Sequence, residues 1–383
     1  MQEFKPFTVG CVLGTRPEVI KMAPVIFQLQ TCAWAEVFVI NTGQHKDMLD
    51  DMLDVFNVCP DADLKVMTAN QSLGELTANL CEKLDRLMKN KHFDVLLAVG
   101  DTTTVFAASL IAFYHQIPFG HIEAGLRTFN AQEPFPEEMN RTLTAPLATW
   151  HFAPTFLEKE NLLRENIPAA KIVVTGNPVI DALFWVLKNR PDQNVNVRGL
   201  ANIIVVTVHR RENFGKNLQN ICSAMIELTA RFEHIHFILP IHPNPYVQQE
   251  IESVLHDKPR IHLLPPIKYD EFAHLMQRSL FVLTDSGGIQ EEAPALHKPV
   301  LVLRNRTERP AIITEGVGLL IGAETSNIIH VVSQLLTDAN MYSNMARDVS
   351  PYGDGNAAKR IVAALKNGLF TNFSAFSDSF VDT

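Results

Sequence analysis

Several polar clusters in this 383-residue chain have the residue types and spacing for chemistry on a phosphorylated ligand. The stretch from Leu280 to Pro310 reads LFVLTDSGGIQEEAPALHKPVLVLRNRTERP. An apolar run, Leu280 to Leu283, has the look of a buried strand and turns through Thr284 and Asp285 into Ser286, Gly287 and Gly288 at the start of a helix. Adjacent glycines let a backbone approach a ligand closely, and the unpaired N–H groups of a helix start attract an anion. A bare SGG is also an ordinary tight turn with a Ser or Asp cap. Here Glu291 and Glu292 follow one turn later, and a second apolar run, Val300 to Leu303, leads to Arg304, Arg306 and Arg309. One βαβ unit thus supplies an anion cradle, a carboxylate suited to ribose hydroxyls, and a cationic loop.

A second cluster lies near the start of the chain. GTRPEVIKMAPV puts Arg16 and Lys21 in the first turns of a helix that Pro17 is suited to begin. Positive charge there opposes the helix dipole, so an anion such as a diphosphate, shared with Ser286, is a better reason for it than helix stability. Carboxylates form the third set: Asp101 in VGDTTT, Glu123 in GHIEAGLRT, and Glu137 with Glu138 in PFPEEMNR. Asp101 and Glu123 end apolar strands, where ionisation is unfavourable without a cation or hydrogen bonds. Such sites often carry acid–base chemistry. A helix-capping Asp and a salt-bridged Glu would fit the same positions, with Arg127 and Arg141 as partners. His209 opens HRRENFG after another apolar run and is followed by Arg210 and Arg211; His242 in PIHPNP is a weaker candidate. His234 and His236 share a strand face without a third ligand, so no metal is expected. A GxSxG nucleophile elbow is absent from the sequence.

These residues need a scaffold that brings loop ends together. Short apolar runs recur at Phe7 to Leu13, Val37 to Ile40, Val95 to Val99, Ile117 to Ile122, Ile172 to Val174, Ile203 to Val208, His236 to Leu239, Ile261 to Leu264, Leu280 to Leu283 and Val300 to Leu303. Helical spacing fills the gaps. Leu73, Leu76, Leu80, Leu84 and Leu87 recur at three and four residues, behind a capping box of Ser72 and Glu75. The pattern predicts an α/β fold with two parallel sheets. Arg16, Gln44, His45, Asp101, Glu123, His209, His242, Ser286 and Arg309 all follow strands, where open parallel sheets bind ligands. A boundary is expected at TGNPVIDAL, giving domains 1–175 and 176–365, with a loop from Asn189 to Val197 and a Ser- and Phe-rich tail, 366–383, that either frays or packs on the body.

Composition narrows the partners. With 46% hydrophobic and 20% charged residues the chain can bury large cores. A net charge of -9 disfavours nucleic acid as a partner. Five cysteines, Cys11, Cys32, Cys59, Cys81 and Cys222, are scattered without a CxxC pair, as expected of reduced thiols in a cytoplasmic protein. No signal peptide or membrane span is expected.

With GTRPEVIKMAP, TGQHKDML, GDTTT, HIEAGLRT, PFPEEMNRTL, TGNPVIDAL, HRRENFG, DSGGIQEEAP, TERP and PYGDG in this order, the chain resembles the non-hydrolysing bacterial UDP-N-acetylglucosamine 2-epimerases over nearly its whole length. The resemblance implies two Rossmann-like domains facing a central cleft, the GT-B fold, with the last helix crossing back to the first domain. It implies a catalytic group of Asp101, Glu123, Glu137 and His209. The UDP contacts it implies are Arg16, Phe272, Ser286, Gly287, Gly288, Glu292 and Arg309, to which the charge argument above adds Lys21. The implied reaction eliminates UDP from UDP-GlcNAc to leave 2-acetamidoglucal and adds it back to give UDP-ManNAc, for surface polysaccharide synthesis, in a homodimer without cofactor.

Three departures stand out. Ala311 follows ERP where relatives commonly have Glu, and the strand before His209 ends in VTV. Gln44, Arg210 and His242 match a second, regulatory UDP-GlcNAc site of many relatives, but Asp47 and Asn70 replace its usual Gln and Arg. The nearest rival is a hydrolysing epimerase that releases ManNAc and UDP. A GT-B glycosyltransferase or a sugar-nucleotide-binding regulatory module would share the cradle but has no use for Asp101, Glu123 and Glu137 together.

Overall fold

Continuous apolar strands linked by helices bury both faces only as parallel sheets with helices on each side. The computed structural model has this form and describes residues 5–44, 46–68, 70–193, 197–241 and 245–378. The chain divides into two units, Met1–Ala182 with Gly353–Thr383, and Leu183–Tyr352. Sequence placed the divisions at 175/176 and 365/366.

The first unit holds a parallel sheet of seven strands: β1 (Phe7–Leu13), β2 (Ala35–Asn41), β3 (Ala62–Asp63), β4 (Val95–Val99), β5 (Phe119–Ile122), β6 (Trp150–Ala153) and β7 (Ile172–Val174). Their order is β3-β2-β1-β4-β5-β6-β7. Every residue of β1 and β4 is buried, as their unbroken apolar runs require. The helices are α1 (Arg16–Gln30), α2 (Lys46–Phe56), α3 (Leu73–Asn90), α4 (Thr103–Tyr114), α5 (Glu137–Leu147), α6 (Phe156–Arg164) and α7 (Pro178–Asn189). α3 starts at the expected capping box, with the Glu75 N–H donating to Ser72 Oγ at 3.2 Å and the Ser72 N–H to Glu75 Oε2 at 2.8 Å. Its buried stripe is Leu76, Leu80, Leu84 and Met88, while Leu73 is exposed.

The second unit repeats the plan with β8 (Ile203–Thr207), β9 (His236–Pro240), β10 (Ile261–Leu264), β11 (Phe281–Thr284), β12 (Val300–Val302) and β13 (Gly318–Leu320). The order is β10-β9-β8-β11-β12-β13, again all parallel. Helices α8 (Lys216–Arg231), α9 (Pro245–Leu255), α10 (Tyr269–Arg278), α11 (Gly287–Ala295), α12 (Ala311–Thr314), α13 (Thr325–Thr337) and α14 (Ala339–Met345) complete it. The last helix, α15 (Ala357–Asp378), belongs to the first unit. Asp181 accepts the N–H groups of Ala357 and Ala358 at its start, at 3.1 and 2.9 Å. Further along, the Phe370 ring meets those of Phe7 and Trp34 edge-on.

Strands β3, β6 and β13 go beyond those the apolar runs predict. β6 carries Trp150 and His151 in a four-residue strand, and β13 is three residues that open on Gly318, so each offers only a short, interrupted run. Pairing with buried neighbours makes them strands. No helix among the described residues is long and apolar enough to cross a membrane.

The turn after β5 is a tight backbone constraint near the polar residues. Gly125 has φ of +94°, and a Cβ there would press into the Glu158 carbonyl of α6. The Gly125 carbonyl also accepts a hydrogen bond from Asn161 Nδ2 at 3.0 Å. Gly125→Ala is expected to destabilise the fold by about 3 kcal/mol through combined backbone strain and overpacking. Urea denaturation checks this; an unchanged midpoint would mean that the turn yields.

Candidate functional site

Strands β1 and β4 are neighbours whose connections leave in opposite directions, so their carboxyl ends open a crevice at a topological switch point. A cavity of about 390 Å³ lies there, walled by Glu18 and Lys21 of α1, Gln44 after β2, Asp101 after β4, Glu123 after β5 and Glu137 at the start of α5. The three carboxylates expected to be catalytic, spread over three motifs, share this one cavity.

Glu123 is 6% exposed. Its Oε1 accepts from Lys21 Nζ at 2.5 Å and from Asn177 Nδ2 at 2.9 Å. Lys21, expected at a diphosphate, is here the counter-ion of a buried carboxylate. Glu123 also sits at φ of +64°, a backbone conformation uncommon for a non-glycine residue and typical of strain held at functional sites. Burial raises the Asp101 carboxyl above its ordinary value, with Glu123 and Glu137 pushing the same way and Arg141 and Lys21 opposing. Arg141 Nη2 stands 3.5 Å from Asp101 Oδ2, and Asn140 Nδ2 donates to the Asp101 carbonyl at 3.0 Å. Arg127 is engaged elsewhere, in a two-bond pair with Glu165.

Glu137 and Glu138 have different tasks. Glu138 is buried, accepts the N–H groups of Thr128 and Phe129, and meets Arg141 at 3.3 Å, which holds the loop before α5. Glu137 faces the cavity.

Two further residues at this crevice escaped sequence reasoning. Glu18, 3% exposed, accepts the N–H groups of Gly14 and Thr15 at 2.7 Å each and the Thr102 hydroxyl at 2.5 Å. It ties the turn after β1 to the start of α4. Burial pushes its carboxyl up to about 7 against the pull of these hydrogen bonds. His121 of β5 is buried, and burial lowers it to about 4, so it is neutral near pH 7. Its Nε2 donates to the Gly100 carbonyl at 2.7 Å, just before Asp101.

In the second unit the switch point falls between β8 and β11. Ser286 occupies the N-cap position of α11 without a side-chain capping bond, and Gly287 and Gly288 open the helix. Both the Arg309 and Arg210 guanidinium groups reach within 3.9 Å of where a Gly287 Cβ would stand. Arg309 Nε is hydrogen-bonded to Glu291, and the Tyr269 hydroxyl to Glu292. Phe272 lies on α10, in the same turn as Tyr269. His209 follows β8, with its Nε2 3.6 Å from Asp285 Oδ1. Arg304 is held between Glu212 and Glu308 at 2.7 Å each. Arg16 is the first residue of α1 in the other unit.

For the regulatory set, the structure puts Gln44 in the wall of the carboxylate cavity and Arg210 beside the Gly287 turn. His242 and His45 lie outside the described residues, as does the Asp47 side chain. Among the described residues no group of three or more His, Cys, Asp or Glu is arranged to hold a metal ion.

Two doubly wound parallel sheets, one with a carboxylate cavity and one with a glycine cradle flanked by arginines, define an enzyme of the nucleotide-sugar class. The sequence model of a family described as UDP-N-acetylglucosamine 2-epimerase matches residues 28–366. The UDP-N-acetylglucosamine 2-epimerase of Neisseria meningitidis serogroup A is 47% identical over 363 residues, covering 92% of this chain and 98% of that protein. A crystal structure of UDP-GlcNAc 2-epimerase from Neisseria meningitidis bound to UDP-GlcNAc superposes with a TM-score of 0.87 at 46% identity, over 94% of this chain and 100% of that one. Another, from Methanocaldococcus jannaschii in complex with UDP-GlcNAc and UDP, gives 0.80 at 33% identity, over 94% and 100%. The chain belongs to the UDP-N-acetylglucosamine 2-epimerase family.

The raised carboxyl of Glu18 has a consequence for stability. Its folded value of about 7 exceeds the ordinary 4.5, so its contribution is complete below about pH 4.5 and is lost as pH rises through about 7. Glu18→Gln removes this titration. Between about pH 5 and pH 8 the wild-type denaturation midpoint should therefore fall more steeply than that of Glu18→Gln. Parallel curves would show that Glu18 keeps an ordinary value in the fold.

Proposed function

We propose that this chain reversibly inverts C2 of UDP-N-acetylglucosamine to give UDP-N-acetylmannosamine, by eliminating UDP to 2-acetamidoglucal and adding it back. The observation that carries this reading is the gathering of Asp101, Glu123 and Glu137 in one cavity with the Lys21 cation. The C2 proton is not adjacent to a carbonyl, so its removal must be coupled to departure of the C1 diphosphate. Ser286, Gly287, Gly288, Arg309 and Arg16 stabilise the charge that develops on UDP as it leaves. Phe272 serves the uracil end and Glu292 the ribose hydroxyls. Inversion needs proton exchange on both faces of the ring, and the carboxylates supply groups for it. Burial, with Glu123 and Glu137 nearby, raises the Asp101 carboxyl above its ordinary value, which favours its use as a proton-exchanging group. His209 completes the catalytic group beside the cradle.

The reading includes a cytoplasmic homodimer whose product feeds a surface polysaccharide. Exposed Met139 and Leu143 on α5, with Phe113 and Tyr114 on α4, provide apolar surface in support of self-association.

Product analysis tests it. Purified protein with UDP-GlcNAc should give a steady mixture containing UDP-ManNAc, with no build-up of free UDP. Accumulation of free ManNAc with equal UDP would place the chain with the hydrolysing enzymes. Asp101→Asn should bind UDP as tightly as the wild type and lose at least about 100-fold in turnover, the usual contribution of a general acid or base. Calorimetry and a turnover assay measure both; retained turnover would remove Asp101 from the mechanism.

A further inference from the structure

We propose that Asp285 is a positioning residue for His209, holding the turn that carries it and serving as the counter-charge of its imidazole. The inference rests on the reading that His209 belongs to the catalytic group. Asp285 follows β11, directly before Ser286, and has no exposed surface. Its carboxylate accepts the His209 N–H at 3.1 and 3.2 Å, the Arg210 N–H at 3.0 Å and Asn213 Nδ2 at 3.0 Å. Asn213, itself buried, also donates to the Leu303 carbonyl after β12, at 3.1 Å. One carboxylate therefore gathers the ends of β8, β11 and β12, the three strand ends around the cradle.

Backbone N–H groups alone do not call for a charged acceptor, since an amide oxygen would also serve. The side-chain geometry adds the second part. His209 Nε2 lies 3.6 Å from Asp285 Oδ1, too long for a hydrogen bond but close enough for strong charge attraction once the ring is protonated. Among the described residues, the other charges around this turn include Arg210 on the same loop, tied to Glu308 at 3.6 Å, Arg309 with Glu291 beside Gly287, and Arg304 with Glu308 and Glu212. Arg210 and Arg309 disfavour a second cation next to the cradle. Asp285 faces His209 at 3.6 Å and is itself shielded from solvent. It thus lets a protonated His209 stand beside a departing diphosphate without being driven out by the neighbouring arginines.

The test is histidine NMR on the full-length protein, with the His209 resonance assigned from its loss in His209→Gln. In Asp285→Asn the His209 titration midpoint should move to lower pH, because a counter-charge within about 4 Å has been removed. The kcat for UDP-GlcNAc should fall at least about ten-fold with KM little changed, and the acid limb of the kcat profile should follow the NMR shift. An unmoved His209 midpoint in a folded Asp285→Asn protein overturns the proposal. If the variant does not fold, wild-type protein decides. A midpoint above about 6.5, the ordinary histidine value, supports a counter-charge that outweighs the neighbouring arginines, and one below it overturns the proposal. Because the titration needs no turnover, a protein inactive on UDP-GlcNAc that still passes it would refute the functional reading and leave the Asp285 assignment standing.

Discussion

A carboxylate withdrawn from water at the end of a buried strand must find compensating partners, and the site residues of this chain are arranged by that requirement. Glu123 has Lys21 and Asn177 on one oxygen. Glu138 has two backbone N–H groups and Arg141. Asp285 has two N–H groups and an asparagine, and Glu291 has Arg309. Removing one member of such a set strands the other, so each pairing fixes side-chain positions far more tightly than surface ion pairs would. The geometry of the cavity and the local stability are then set by the same contacts.

Parallel topology explains why these carboxylates meet. In each sheet the order reverses between two central strands, β1 and β4 or β8 and β11, and the loops there are not covered by a crossover. The first unit uses its crevice for carboxylates, the second for a glycine cradle with arginines.

Much of this was legible in the residue order, and what was not has physical reasons. Long apolar runs such as Phe7–Leu13 announce central strands, whereas β6 and β13 become strands only through their neighbours. Asp101, Glu123 and Glu137 could be singled out because each follows an apolar run or opens a helix. Their partners could not: Asn177 lies 54 residues from Glu123, and nothing local marks it as buried. Lys21 reads as a phosphate ligand because its charge opposes the α1 dipole, and the structure adds a partner that the sequence does not mark, the buried carboxylate of Glu123. Glu18 was hidden in plain sight, since a Glu three residues after Thr15 reads as a helix cap, and only burial turns it into a clasp between two turns. Asp285 reads as a turn residue for the same reason.

If the first unit's carboxylates exchange the C2 proton of a UDP-sugar with solvent, an NMR time course with UDP-GlcNAc in D₂O shows deuterium at C2 of both UDP-GlcNAc and UDP-ManNAc as they interconvert. Conversion with the original proton retained at C2 would contradict it, because the hydrogen would then never have passed through the carboxylate cavity to water.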